Sequence, residues 1–356
     1  MTFTDGMIRQ RGRVLSALLV IVFCSAGVVA PAAERDDGAI LAKQASVPLP
    51  LDPDDASWQT APATTVRVYP QNTIRLPGEI AEAGTVIVRA LYSAEELALR
   101  LEWSDASVEN TRGVGTFADA AAVQWPVQYG PGVRLPYIGM GNPGEPVTLW
   151  LWRADGTAET LAAEGFGTLT AQASDGIQAQ GAWKDGRWRV VFRRKLAAGG
   201  EYCVRVDSAK QGLVPVALAF WNGAQAERNG AKRLSAWQVL RFEKGAADEQ
   251  YARQLVSSVT GDPATGKRLI MEKGCAACHA FPGNPAQPAV GPNLSYAGGI
   301  HRADYLLESI AEPSKVVVPG KGYSMVQDGK KVSLMPPFQG TEQERRDIAA
   351  FLQALR

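Results

Sequence analysis

The chain has 356 residues, of which 46% are hydrophobic and 21% charged, and its formal net charge is +1. That length can supply two domains with cores of their own. So even a balance of charge does not point to a partner bound through a strongly basic surface, such as nucleic acid.

Residues 1–33 read as a secretory signal peptide. Arg9, Arg11 and Arg13 precede an apolar run from Val14 to Ala30, and "VVAPAAE" then offers small residues for cleavage. The run is about 17 residues long and no second hydrophobic span follows it. The mature chain is therefore expected in the periplasm, exported by a Sec-type route, without a membrane span. The arginines are not adjacent, which argues against a twin-arginine signal, and Phe23 is too large to precede a lipidated Cys24. Loss of this segment brings the net charge to about −1.

Residues 34–245 form the first expected domain. From about Thr64 to Phe242 apolar and polar residues alternate with period two. "TVIVRALYS", "LALRLEW", "VTLWLW", "RWRVVFRR", "VPVALAFW" and "WQVLRF" are the expected strands. Asp155-Gly156, Asp185-Gly186 and Asn222-Gly223 punctuate them, and the Asp185 pair predicts a tight hairpin. Eight or more strands with little helical periodicity predict an all-β sandwich. Cys203, in "EYCVRV", reads as a small buried residue on a strand.

A polar, partly helical linker is expected over residues 246–261, and a second, all-α domain over 262–356. "PATGKRLIMEKG", "RADYLLESIAEP" and "TEQERRDIAAFLQALR" are its helices. Thr341 and Glu344 make a capping box for the last one, with Ile348, Phe351, Leu352 and Leu355 as its apolar stripe.

The first of these helices runs into "KGCAACHA". The spacing C-x-x-C-H is the attachment signature of a c-type haem. Cys275 and Cys278 would form the thioethers of one covalent haem c, and His279 would be its proximal axial ligand. A zinc site is poorly supplied, since His301 and Cys203 are the only remaining histidine and mature cysteine. A redox dithiol needs no adjacent histidine, and no βαβ pattern surrounds the motif.

Together with "GPNL" at 291–294, "YLLESIAEPSK", "MPPF" and Phe351 in the last helix, the motif makes residues 262–356 resemble a class I cytochrome c. In that family a methionine shortly before the last helix is the sixth ligand. Met335, stiffened by two following prolines, matches that pattern best. Met325, in "GYSM", reads as packing, and His301, opening the "HRADYLLESI" helix, as a solvent-facing residue. A thioether raises the haem potential relative to a second imidazole, and a haem with both axial positions filled carries electrons only.

The sandwich adds a second resemblance. "SWQTAPATTVRVYPQ", "LRLEWSD", "FADAAAVQWP", "MGNPGEPVTLWLW", "GRWRVVFRRKL" and "VPVALAFWNGAQAERNGAKRLSAW" are similar, in collinear order, to the haem b (γ) subunits of the ethylbenzene dehydrogenase type. These belong to the type II molybdenum enzymes of the dimethyl sulfoxide reductase family. The resemblance implies one non-covalent haem b held by a methionine and a lysine. The mature sandwich contains no histidine, and Met140, in the Gly/Pro-rich loop "YIGMGNP", is the one methionine between Glu34 and Ile270. For the lysine, Lys232 in "ERNGAKRLSAW" is preferred and Lys195 comes next. Lys184 and Lys210 sit in a turn and a polar loop.

By resemblance the chain is thus a dihaem electron-transfer subunit, with no active site of its own. It would join a molybdenum catalytic subunit and an iron–sulfur subunit, and would meet a soluble redox partner at the haem c end. Lys321, Lys330 and Lys331 lie close in sequence to Met335 and could steer an acidic partner there. The alternative is an exported ligand-binding sandwich fused to a cytochrome c, without haem b.

Overall fold

The computed structural model describes residues 39–71, 82–173, 176–197, 199–208, 210–286, 288, 290–318 and 322–356. The expected signal peptide and Lys321 lie outside them.

Alternating sequence becomes strand wherever one face can be buried. The strands in chain order are β1 (Ala39–Gln44), β2 (Thr64–Pro70), β3 (Gly84–Tyr92), β4 (Glu96–Ser104), β5 (Ala120–Pro126), β6 (Val147–Arg153) and β7 (Ala158–Ala163). They continue with β8 (Thr170–Ala171), β9 (Gln178–Lys184), β10 (Arg187–Lys195), β11 (Leu213–Trp221), β12 (Arg233–Leu234) and β13 (Gln238–Phe242). The hairpin expected at Asp185-Gly186 joins β9 to β10, with φ of 55° and 73° at its two central residues. Two successive left-handed residues are what a two-residue turn of matching twist requires.

The strands form two layers that share β2 and β11. Leu213–Val216 pairs with β13, whereas Ala217–Trp221 pairs with β5, so β11 passes from one layer to the other. β2 does the same, pairing with β3 and then, at Tyr69 and Pro70, with β12. Val88, Leu101 and Phe192 from one layer meet Val123, Trp125, Trp150 and Leu218 from the other in a single buried cluster. That is the sandwich core.

The outer face of the second layer is buried as well. Along β5 and β11 the residues opposite the core are Ala120, Ala122, Ala217 and Ala219, flanked by Leu149, Leu151, Leu161 and Leu234. A sheet covered on both faces loses its polar alternation, which explains why "AAAVQWP" and "VPVALAFW" are apolar almost throughout. The cover comes from the loop Leu135–Met140 and from Tyr251, Leu255, Tyr296, Ile300 and Tyr305 of the helical part.

One local expectation fails. "EYCVRV" forms no strand; Cys203 is 3% exposed, but in a loop whose Tyr202 carbonyl accepts a hydrogen bond from the Thr148 hydroxyl. Asn222-Gly223 opens a short 3-10 turn between strands, because the Asn222 side chain accepts from the Gln225 N–H and caps it.

The helical part comprises α1 (Glu249–Leu255), α2 (Pro263–Glu272), α3 (Ala297–Ile300), α4 (Ala303–Ala311) and α5 (Glu342–Ala354), with a small hairpin of β14 (Ser324–Gln327) and β15 (Lys330–Ser333) before α5. The capping box at Thr341 and Glu344 is present. Leu269, Ile270, Phe281, Leu306, Ile310, Ile348, Phe351 and Leu352 form the core. α2 and α5 cross with their backbones nearly touching at Gly266, where a Cβ would run into the Asp347 carbonyl oxygen. Gly266→Ala should therefore cost about 2–3 kcal/mol in urea unfolding of this part, the upper end for overpacking, because the obstacle is main chain. No helix among the described residues is long and apolar enough to cross a membrane.

Candidate functional site

The C-x-x-C-H segment leaves α2 through Gly274, whose φ of 81° turns the chain into a 3-10 turn over Cys275–Ala277. The His279 N–H donates to the Cys275 carbonyl at 3.0 Å, closing the motif into one tight loop. Cys275 and Cys278 are both free thiols, half-buried and exposed respectively. Nδ1 of His279 lies 2.8 Å from the Pro292 carbonyl oxygen. A carbonyl can only accept, so Nδ1 carries the proton and Nε2 keeps its lone pair for a metal. Burial holds the imidazole below its usual value despite that hydrogen bond, so it is neutral at pH 7. Gly291 leaves room for the ring, since a Cβ there would sit 2.8 Å from Cε1 of His279. "GPNL" thus supplies both the space and the acceptor.

The three residues weighed as sixth ligand now separate. Met335 is half-buried, in the loop between β15 and α5, with its N–H donating to Ser333 Oγ. Met325 does not pack as expected: it lies on β14 and is 51% exposed. His301 is not solvent-facing either. It stands between α3 and α4 with its ring against Tyr137 at 5.8 Å and Tyr305 at 4.5 Å, and burial pulls it down to about 4. Met335→His should lower the haem c potential by on the order of 100 mV, because imidazole replaces thioether within the ~0.8 V that axial ligands span. An unchanged potential there, with a comparable drop in Met325→His, would transfer the role to Met325.

Met140 occupies a constrained loop. Its φ is 77°, a left-handed conformation that a methionine seldom adopts. Gly141 N–H donates back to the Tyr137 carbonyl, Gln124 Nε2 to the Ile138 carbonyl, and Trp237 Nε1 to the Pro136 carbonyl. The Met140 carbonyl accepts from the Gly165 N–H at 2.8 Å, tying this loop to the one that carries Phe166. Backbone strain held by so many bonds makes this loop a candidate for function.

Lys232 enters the same region from the other side, immediately before β12. It is 6% exposed, its Nζ lying 5.7 Å from the Phe166 ring centre and 5.3 Å from that of Trp221. No ion pair to it is formed among the described residues, and burial alone pulls the amine down to about 8. The other lysines weighed behave differently: Lys184 and Lys195 are exposed at strand ends, and Lys210 pairs with Asp207 at 3.4 Å. Phe166 therefore links the Met140 loop to Lys232, above the alanine floor of β5 and β11. Phe166 and Trp221 had no sequence signal of their own, since aromatic residues in loops and at strand ends are common.

One grouping was not foreseen. Carboxylate oxygens of Asp105, Glu109 and Asp119 lie within 4.8 Å of one another. Their donors are already supplied: Asn222 Nδ2 to Asp105, Trp188 Nε1 and the Gly223 and Glu109 N–H groups to Asp119. Burial and the neighbouring Asp119 push Asp105 up to about 6. The cluster ties three loop segments together.

A family model described as "Ethylbenzene dehydrogenase" matches residues 55–176 and 167–233, and one described as "Cytochrome c" matches 263–356. The chain belongs to the ethylbenzene dehydrogenase family. Within that family it is of the γ-subunit type, extended by a C-terminal cytochrome c domain. It is 34% identical over 222 residues to a "Putative respiratory nitrate reductase heme subunit ORF7" of Haloferax mediterranei, covering 62% of this chain and 78% of that protein. It is 32% identical to "Chlorate reductase subunit gamma" of Ideonella dechloratans, over 53% of this chain and 79% of the other. With "Dimethylsulfide dehydrogenase subunit gamma" of Rhodovulum sulfidophilum the identity is 31%, over 56% and 77%. A carbohydrate binding module of family 9 from Caldicellulosiruptor kristjanssonii in complex with glucose covers 59% of the chain and 97% of its own, at 10% identity and a TM-score of 0.35, too slight a likeness to bear on ligands. As an ethylbenzene dehydrogenase γ-type chain with a cytochrome c domain, the protein is a haem-carrying electron-transfer subunit and not a catalytic one.

Proposed function

We propose that the protein is a dihaem conduit, passing electrons between an iron–sulfur subunit of a periplasmic molybdenum oxidoreductase and an external redox partner. Haem c would be attached covalently through Cys275 and Cys278, with His279 and Met335 as axial ligands. Haem b would be held without covalent bonds in the sandwich, by Met140 and Lys232. Each haem, when bound, supplies a one-electron couple and nothing else. The protein's own residues fix the axial field, exclude water and set the protonation of the lysine.

The observation that carries the reading is Lys232. A lysine buried among Phe166, Trp221 and a strained methionine loop, with no counter-ion among the described residues, is costly unless its lone pair is used. The floor of four alanines beneath it suits a flat macrocycle: Ala120, Ala122, Ala217 and Ala219 leave the sheet face level. The relatives named as subunits of nitrate reductase, chlorate reductase and dimethylsulfide dehydrogenase support this class of complex. Lys330 and Lys331 are exposed on β15, beside Met335 in sequence, and offer an acidic partner a surface.

A pyridine haemochrome spectrum before and after acidified-acetone extraction tests the assignment. Equal amounts of extractable haem b and covalent haem c are expected, and absence of haem b would favour a ligand-binding sandwich. Purification from the native host should bring down a large catalytic subunit and an iron–sulfur subunit. Isolation as a free monomer that no molybdenum protein reduces or oxidises would replace the subunit reading with a stand-alone carrier.

A further inference from the structure

We infer that His301, a residue of the helical C-terminal part, completes the haem b site of the sandwich by hydrogen-bonding a haem carboxylate through Nδ1. The inference rests on the two-haem reading above and adds a residue that comes from the other domain.

The geometry starts from a crevice between the two parts. One wall is Gln71, Gly139 and Leu234; the other includes Pro292, Ile300 and His301. The first wall adjoins both candidate axial residues. Gly139 directly precedes Met140, Leu234 follows Lys232 by two positions, and the Gln71 N–H donates to the Lys232 carbonyl at 2.8 Å. Ile300 and Tyr296 belong to the same apolar cluster as Met140, Phe166 and Trp221. The helical part therefore covers the face on which the haem would lie.

Within this crevice His301 is held but unsatisfied. Its ring is tilted 18° to Tyr137 and 32° to Tyr305, which fixes its orientation. Nδ1 is buried and has no hydrogen-bond partner among the described residues. Native proteins seldom leave such an atom alone, so an unfilled partner is informative. The imidazole is neutral at pH 7 and carries one N–H; with that proton on Nδ1 the ring calls for an acceptor. The crevice lining contains no carboxylate that would repel an anion. A haem is an apolar plate with two carboxylates at one edge, and a carboxylate accepting from a buried N–H forms the stronger, charge-assisted bond.

The test is the rate at which the full-length protein loses haem b to excess apomyoglobin, followed by absorbance. His301→Leu should lose it about tenfold faster than wild type, as expected for one hydrogen bond to a charged group, with the covalent haem unchanged. His301→Asn, which returns a donor near the place of Nδ1, should recover to within about threefold of wild type. Loss from His301→Leu at the wild-type rate, or equal acceleration in Leu and Asn variants, overturns the inference and leaves the ring a packing role. If the Leu variant does not fold, wild type reconstituted with the iron complex of protoporphyrin dimethyl ester serves instead. That ligand, lacking free carboxylates, should escape about tenfold faster than haem b, and equal retention overturns the inference. A wild-type protein with no extractable haem b would sink the two-haem reading itself, a distinct result.

Discussion

Cys275→Ala combined with Cys278→Ala is expected to abolish the band that a peroxidase stain reveals on a denaturing gel. Each single replacement keeps one thiol and so one covalent link, and its band should persist. The expectation follows from the local structure. The motif is one tight loop, with the His279 N–H on the Cys275 carbonyl, so both sulfurs and the imidazole start from a common frame. A dithiol redox role would leave the stain unaffected by the motif, but the thiols are ill suited to it. Burial raises the Cys275 thiol above its usual value, and the neighbouring Cys278 adds to the rise, which lowers its thiolate fraction. His279→Ala should leave thioether chemistry possible but deprive the iron of its proximal imidazole, so no low-spin cytochrome spectrum should form. A stained band surviving the double replacement would refute the attachment.

How much of this was legible in the sequence depends on whether the determining contacts are local. The capping box at Thr341 and Glu344 and the hairpin at Asp185-Gly186 are each made by residues within a few positions, and each formed as expected. β3, β4 and β10 have strong alternation and were equally plain. β11 was recognisable as a strand, but the burial of the outer face that it shares with β5 was not, because its cover comes from α1, α3, α4 and distant loops. His301 shows the same limit most sharply. Its place before a helix suggested exposure, whereas Tyr137, remote in sequence, stacks on it. Lys232 became a candidate through resemblance; the aromatic rings that bury it lie on a loop and at the end of β11, and no pattern within the chain pairs them. Met325 was misjudged because the β14–β15 hairpin, short and rich in charge, was not anticipated.

Lys232→Leu is expected to lose extractable haem b almost completely while the covalent haem remains, and to make the haem-b-free chain more stable at neutral pH. The two effects have one cause. Burial lowers the amine from 10.5 to about 8, so at pH 7 the haem-free protein holds a buried ammonium that it would rather not have. For a base whose folded value is depressed, stability is fully present above the unfolded value and is lost as pH falls through the folded one. Wild type freed of haem b should therefore gain stability between about pH 8 and 10.5, while the Leu variant should not. Below pH 8 the difference approaches about 3 kcal/mol, readable in urea unfolding, since every tenfold loss of proton affinity on folding is worth about 1.4 kcal/mol. The same proton governs binding. The iron needs the lone pair, so uptake of haem b below pH 8 must expel a proton, and affinity should rise up to tenfold per pH unit before levelling near 8. Lys195→Leu, at an exposed strand end, should change neither property. If haem b affinity is flat from pH 6 to 9, or if Lys195→Leu loses the haem and Lys232→Leu keeps it, the amine of Lys232 is not the ligand.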